Sequence, residues 1–385
     1  SYRRLVMKIR KLFIYCLTVL FFISCESGFE DMMDEAKTGI RSYRHYAYVA
    51  NRGANTVSAY SMGTDGSLTW ISDHATGTTP RFVKGTPNGK YLYVANSTNN
   101  TASNTISVYA INADGTLTGL GSQSLTGGTS TLIYGMAINP AGTYLYATNN
   151  VGSEEYKLYA FSIGSNGALT QLSGTPYAMT APTALTVDPS GSFLLVTGFP
   201  SGTYGFASYP ISGSTGVVTT VYAGYNELYA NGNSITMDEN SHVYVGMTSG
   251  ALRACSMNAS GALTEINTYS LGSESSINSL AASPDGQYLF SANTGVVGTT
   301  VGNISHYKIN SATGELTGLS NYLGTGCSNP TSVAVDSTGC YLYVTNTVSN
   351  NITIFTINDN DTLSEIENVT AGTNPYSIAL IKRGQ

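Results

Sequence analysis

At 385 residues, with 10% charged side chains, 42 glycines and 28 tyrosines, the chain is too rich in apolar and turn-forming residues to be disordered and long enough to bury a large core. Its formal net charge is -6, but residues 1–44 hold 8 basic and 5 acidic groups, leaving 9 basic against 18 acidic over the remainder. An acidic domain without a basic stripe excludes nucleic acid and anionic lipid as its natural partners.

The first element is a targeting signal. Met7-Lys-Ile-Arg-Lys11, the apolar run Leu12 to Ile23 and the pair Ser24-Cys25 form a basic start, a short apolar middle and a small residue before cysteine. The apolar run has 12 residues, against the roughly 20 that a membrane-spanning helix needs, so export is expected rather than retention as a helix. Phe22-Ile23-Ser24-Cys25 resembles the lipobox of bacterial lipoproteins, which implies that Cys25 becomes the lipidated first residue of a protein of the bacterial cell envelope, on the outer membrane, the cell surface or the periplasmic side. Residues 1–25 are thus expected to be a signal peptide, 26–44 a flexible tether that mixes charge with Gly28 and Gly39, and 45–385 one folded domain.

From Tyr46 onward a phrase of the type Tyr46-Ala-Tyr-Val-Ala-Asn51 recurs at Tyr91, Tyr144, Phe193, His242, Tyr288 and Tyr341. Its central positions, Val49, Val94, Ala147, Val196, Val245, Ser291 and Val344, are separated by 45, 53, 49, 49, 46 and 53 residues, the period of one propeller blade. Each unit reads as four strands. A first strand leads through a turn such as Asn88-Gly89 or Asp285-Gly286 into the phrase, and a third and fourth strand follow around Asp65-Gly66, Asp114-Gly115, Asn166-Gly167 or Ser260-Gly261. The strands are almost continuously apolar, as expected when both faces of a sheet are covered.

The pattern begins on a second strand and ends on a surplus first strand, Asn374 to Ile381. The predicted fold is therefore all-β: seven four-stranded antiparallel blades, closed when the C-terminal strand enters the first blade, which also removes open sheet edges. The Asn ending each phrase is read as a cap of the following loop backbone. Cys255, Cys327 and Cys340 remain after processing; Cys327 and Cys340 belong to opposite ends of one hairpin, so unpaired buried thiols are expected.

In a propeller, ligands meet the face made by loops entering the inner strand and loops joining the second and third strands. Several of these, Asn96 to Asn104, Asn149 to Lys157, Phe199 to Tyr204 and Asn293 to Asn303, are long and polar. The charged groups assigned to this face are Arg52, Arg81, Arg253, Glu154, Glu155 and Glu274. Arg52 and Arg81 are candidate ligand binders, and Arg81 could instead clamp two blades. His45, His74, His242 and His306 sit at no ligand spacing and are assigned to packing or surface roles. Gly85-Thr-Pro-Asn-Gly-Lys90 is one residue short of a phosphate loop and lacks the hydroxyl residue after Lys90, while Asp359-Asn-Asp361 reads as a hairpin turn. No metal or cofactor is expected.

The Tyr-Val-Ala/Thr-Asn phrases at Tyr48 to Asn51, Tyr93 to Asn96 and Tyr343 to Asn346, with turns of the Asp114-Gly-Thr-Leu-Thr118 type, resemble the lactonase-type seven-bladed propellers, which include 6-phosphogluconolactonase-like proteins and the surface repeats named after Tyr-Val-Thr-Asn. The resemblance implies a lactonase scaffold. Members regarded as lactonases carry His-x-His near a central first strand and Asp-Leu-Gly-x-Asp after the next; the corresponding stretches here read Ala181-Pro-Thr-Ala-Leu-Thr-Val187 and Val196-Thr-Gly-Phe-Pro200. The expected function is accordingly a lipid-anchored scaffold whose loop face binds a protein, a glycan or a small ligand. The alternatives are a lactone hydrolase, in which a Glu and one of Arg81 and Arg253 act on the ring, and an adhesive or structural surface module.

Overall fold

A computed structural model describes residues 43–97, 104–125, 132–150, 156–199, 202–270, 276–295, 302–322 and 326–384. Cys25, Glu154, Glu155 and Glu274 lie outside the described residues. No helix among the described residues is long and apolar enough to cross a membrane.

Seven antiparallel sheets form a ring of seven blades, each running from an inner strand at the axis to an outer one. Blade 1 places Pro375–Gly384 innermost, against Tyr43–Asn51, with Thr56–Met62 and Leu68–Ala75 outside them. Register partners such as Tyr46 with Ile381 and Tyr48 with Ala379 join the two ends of the domain in one sheet, as the surplus first strand predicted. The strand begins slightly earlier than expected. Tyr43 and Arg44, assigned to the tether, already pair with Gly384 and Arg383.

Each gap between blades holds its own apolar cluster. Tyr48 and Val57 of blade 1 meet Val83, Leu92 and Val94 of blade 2, while Tyr343 and Ile354 of blade 7 meet Val49 and Ile378 of blade 1. Both faces of each sheet are therefore buried, which explains the unbroken apolar runs; each buried aliphatic side chain contributes about 1.5–3 kcal/mol.

The recurrent phrase is the latch between blades. Tyr48 donates its hydroxyl hydrogen to Gly115 O of the next blade (2.9 Å), and Tyr93 to Gly167 O, Tyr146 to Gly216 O, Tyr244 to Gly314 O and Tyr343 to Gly66 O do the same at 2.8 to 3.1 Å. Two residues earlier in the phrase, an aromatic ring covers the same turn: Tyr341 lies over Gly66 and Tyr46 over Gly115, where an added Cβ would overlap the ring. These glycines have φ of +81° and +85°, a region costly for other residues. Blade 4 has Leu195 in place of the tyrosine, and Ser208 supplies the bond to Gly261 O (2.5 Å). Blade 6 has Phe290, and Tyr288 and Lys308 instead hold Asp361 of the blade 7 turn at 2.5 and 2.8 Å. Asp359-Asn-Asp361 is thus a latched hairpin turn.

The Asn that ends the phrase does not cap loop backbone. Asn51, Asn96, Asn293 and Asn346 are fully buried, and their Nδ2 groups donate to Ser58, Ser107, Ser305 and Thr353 on the third strand at 2.7 to 2.9 Å. Ser58, Ser305 and Thr353 pass the chain on to Asp73, Asn321 and Asn368 of the outer strand. The amide donors are thus engaged inside the blade, while the Oδ1 atoms of the same four residues are buried without a hydrogen-bond partner among the described residues. One cysteine departs from expectation: Cys255 is a free buried thiol, whereas Cys340 is disulfide-bonded.

Candidate functional site

The seven inner strands enclose a central channel with a cavity of about 560 Å³. At the end where these strands start, a local backbone irregularity recurs. In blades 2, 3, 5, 6, 7 and 1 a β-bulge falls at Arg81, Tyr134, Asn233, Asn278, Thr331 and Tyr376, each unmatched in its ladder. In blade 4 the equivalent residue is Thr183, whose N–H donates to Thr197 O (2.9 Å). All seven line the channel. A bulge bends its strand and re-aims a side chain, and repeated around the ring it builds a mouth of seven positions. Proline at 80, 182, 330 and 375, after residues with φ of 42° to 59° at 79, 181, 329 and 374, sets the entry of four of these strands.

The mouth has two unlike halves. From Thr183 to Thr331 each side chain donates to the backbone carbonyl just before the next mouth residue: Thr183 to Gly232 O, Asn233 to Ile277 O (3.2 Å), Asn278 to Pro330 O (3.1 Å) and Thr331 to Pro375 O (3.3 Å). This arc is a belt between blades 4, 5, 6, 7 and 1, its donors engaged in holding the ring. The other arc carries Tyr376, Arg81 and Tyr134.

Arg81 Nη2 donates to Tyr376 Oη (3.1 Å), and its guanidinium lies over the Tyr376 ring at 5.2 Å from the centroid. Arg52 stands 5.6 Å from the same centroid. Arg81 Nε is buried without a hydrogen-bond partner among the described residues. The guanidinium is therefore oriented by Tyr376 while keeping donors for a ligand. The clamp and the binder readings of Arg81 are thus compatible, since Tyr376 belongs to blade 1 and Arg81 to blade 2.

Three residues further down the same inner strand, Lys84 is the second charged group of the wall. Its side chain is wetted by the channel yet ringed by the inner strands, so the loss of bulk hydration lowers its pKa from the ordinary lysine value. Arg81 and Lys84 are the only charged residues lining the channel among the described residues, and neither has a carboxylate partner. The strand rise sets them roughly 10 Å apart, which leaves a mutual repulsion of about 1–2 kcal/mol at an effective dielectric near 20. An anion in the channel would relieve it.

Of the sequence candidates, the structure brings Arg81 to the channel wall and Arg52 against Tyr376, and sequence reasoning did not find Tyr376, Tyr134 or Lys84. Aligning the inner strands on their opening Pro or Ile would have exposed the mouth positions. Arg253 is elsewhere: it is 2% exposed, paired with Glu265 of the neighbouring outer strand and covered by Tyr229 at 5.1 Å. Its side chain is interior to blade 5, because the strand alternation turns it away from the loop end. His306 is sealed between Tyr288 and Phe290 (5.1 and 4.7 Å), and His242 Nδ1 meets Asp238 Oδ2 at 2.7 Å in a hairpin turn. Both therefore have packing roles.

The family profile "Lactonase, 7-bladed beta-propeller" matches residues 18–135, 134–243 and 235–380. Among solved structures, the chain is similar to the periplasmic gluconolactonase of Pseudomonas aeruginosa at 16% identity and a TM-score of 0.74, covering 88% of this chain and 99% of that one. It is similar to candidate 6-phosphogluconolactonases from Bacteroides fragilis, at 19% identity and a TM-score of 0.73, and Bacteroides uniformis, at 16% and 0.75, covering 88% of this chain and 98% and 100% of theirs. No curated protein matches the sequence.

Proposed function

The chain belongs to the lactonase family of seven-bladed β-propellers, and from that premise we propose that it opens the lactone ring of a sugar acid at the Arg81 side of the channel mouth. The observation that carries this reading is the pair of cations, Arg81 and Lys84, which among the described residues have no carboxylate partner and are the only charges on the wall. Water adds to the ring carbonyl carbon, the ring C–O bond breaks, and the proton lost by water goes to the departing alkoxide, giving a hydroxy acid that ionises to a carboxylate. Arg81, held by Tyr376, is the donor for the carbonyl oxygen as it gains charge. Lys84 takes a second anionic group or the product carboxylate. A Glu from the loop face is the base in this reading, with Glu154, Glu155 and Glu274, all outside the described residues, as the sequence candidates.

The test is acid release from glucono-δ-lactone and 6-phosphogluconolactone, read against the spontaneous rate. We expect turnover that falls about 100-fold in Arg81→Ala, the usual effect of removing one oxyanion donor. Turnover unchanged in Arg81→Ala overturns the site. Gluconate binding without any turnover would favour the binding-scaffold reading.

We also propose export and lipid anchoring through Cys25, with residues 26–44 as tether, an address consistent with the periplasmic location of the similar gluconolactonase. Metabolic labelling with an alkynyl fatty acid should mark the full chain and not Cys25→Ala. Label retained by Cys25→Ala contradicts the anchor.

A further inference from the structure

The regular ladder fails at one place in the ring. In blades 1, 2, 5, 6 and 7 the outer strand runs seven or eight residues, as in Leu68–Ala75 or Leu263–Ser270. In blade 3 it is split into Leu169–Gln171 and Tyr177–Met179, which pair with opposite ends of Tyr156–Ile163. In blade 4 only Gly224–Glu227 pairs, leaving a single bridge between Ile211 and Val218 beyond it. The two irregular sheets are neighbours, so blade-to-blade packing is incomplete between them. A cleft of about 170 Å³ results, walled by Tyr177, Phe199, Tyr209 and Tyr222 and edged by the exposed Thr180 and Thr220.

We infer that this cleft binds the ring of a neutral pyranose sugar. Its lining contains aromatic rings and hydroxyls and no charged residue. Tyr222 is held edge-on to Tyr209 (6.3 Å, 89°) and tilted on Tyr225 (5.9 Å) while staying 40% exposed, so one aromatic ring is both fixed and open. Tyr177 Oη is buried and approaches the Val218 backbone without completing a hydrogen bond. Burial raises the pKa of Tyr177 and pushes that of Tyr209 up to about 12, so both stay neutral phenols that donate and accept.

These features select among occupants. A charged ligand would be desolvated with no countercharge, and an aliphatic one would leave the Tyr177 hydroxyl unpaired. A pyranose offers C–H bonds to the aromatic face and hydroxyls at its rim to the phenol and the threonines, matching an apolar site with a few polar groups. The cleft is not part of the channel, although Thr197 on its wall shares a hydrogen bond of 2.8 Å with Thr183 of the channel mouth.

Saturation-transfer NMR of the purified protein with methyl β-glucoside, methyl β-galactoside and methyl α-mannoside tests the inference, with methyl β-glucuronide as charged control. The expected result is transfer to the C–H protons of at least one neutral glycoside and weaker transfer to the glucuronide. Affinity should fall about tenfold in Tyr222→Ala and about three- to tenfold in Tyr177→Phe, and persist in Arg81→Ala, which separates this cleft from the channel. No transfer to any neutral glycoside, equal binding of the glucuronide, or binding that survives Tyr222→Ala overturns it; Tyr222 is exposed enough for that variant to fold.

Discussion

Replacing Gly66 by alanine should destabilise the ring at its closing seam. Gly66 sits in the blade 1 turn at φ +81°, under the Tyr341 ring, and its carbonyl accepts the Tyr343 hydroxyl hydrogen at 2.8 Å. An alanine held at that φ costs about 1–2 kcal/mol, and an overlap with a ring fixed between two blades adds about 1–3 kcal/mol. Relaxing the turn instead would break the Tyr343 bond, worth about 0.5–1.5 kcal/mol. With the turn held in place, the two costs sum to about 2–5 kcal/mol. Gly119→Ala is the control, since nothing lies within 4 Å of a Cβ there, and a surface change of this kind stays within about 0.5 kcal/mol. Urea unfolding with linear extrapolation measures both. If Gly66→Ala and Gly119→Ala are equally stable, the aromatic latch does not join the blades as described.

Other positions give separate checks. Burial without a hydrogen-bond partner lowers the pKa of His306 to about 4, with Asp361 opposing the shift. Between about pH 6.5 and 4 the unfolded chain therefore binds a proton that the folded one refuses, and stability falls with acidification across that window. His306→Phe should gain about 2 kcal/mol more over wild type at pH 5 than at pH 8, read by urea unfolding at both pH values; equal gains would refute the burial argument. Lys84→Met should weaken turnover or binding of 6-phosphogluconolactone by about tenfold while leaving glucono-δ-lactone KM within about twofold. Arg253→Met should leave lactone kinetics unchanged but lower stability by about 1–3 kcal/mol, since its partner Glu265 is 45% exposed and can be rehydrated; a kinetic defect in a fully folded Arg253→Met would return this residue to the site.

The ring and its closure were legible because the signals are local and repeated. Tyr, Val and Asn recur at fixed offsets, and a surplus strand from Asn374 has only blade 1 left to join. The mouth was legible only in part. Arg81 stands out as a charge, but Tyr134 and Tyr376 look like ordinary strand aromatics until the bulges set them at the channel. Lys84 reads as a surface charge beside a turn, because enclosure by the other inner strands is a property of the closed ring. Arg253 misled in the opposite sense: a charge three residues after Gly250 suggests a loop, and only the strand register turns it onto Glu265. The hydroxyl partners of the phrase asparagines lie 7 to 12 residues away in the chain, a separation that the sequence pattern does not link.

The most direct test of the channel mouth is a crystal structure of the protein soaked with gluconate, the product of a sugar-acid lactone. The expected density lies in the central channel, with the carboxylate within hydrogen-bond distance of the Arg81 guanidinium and the sugar chain against Tyr376 or Tyr134. Gluconate bound on the opposite Asn233 to Thr331 arc, or found only outside the channel, would contradict the proposed site.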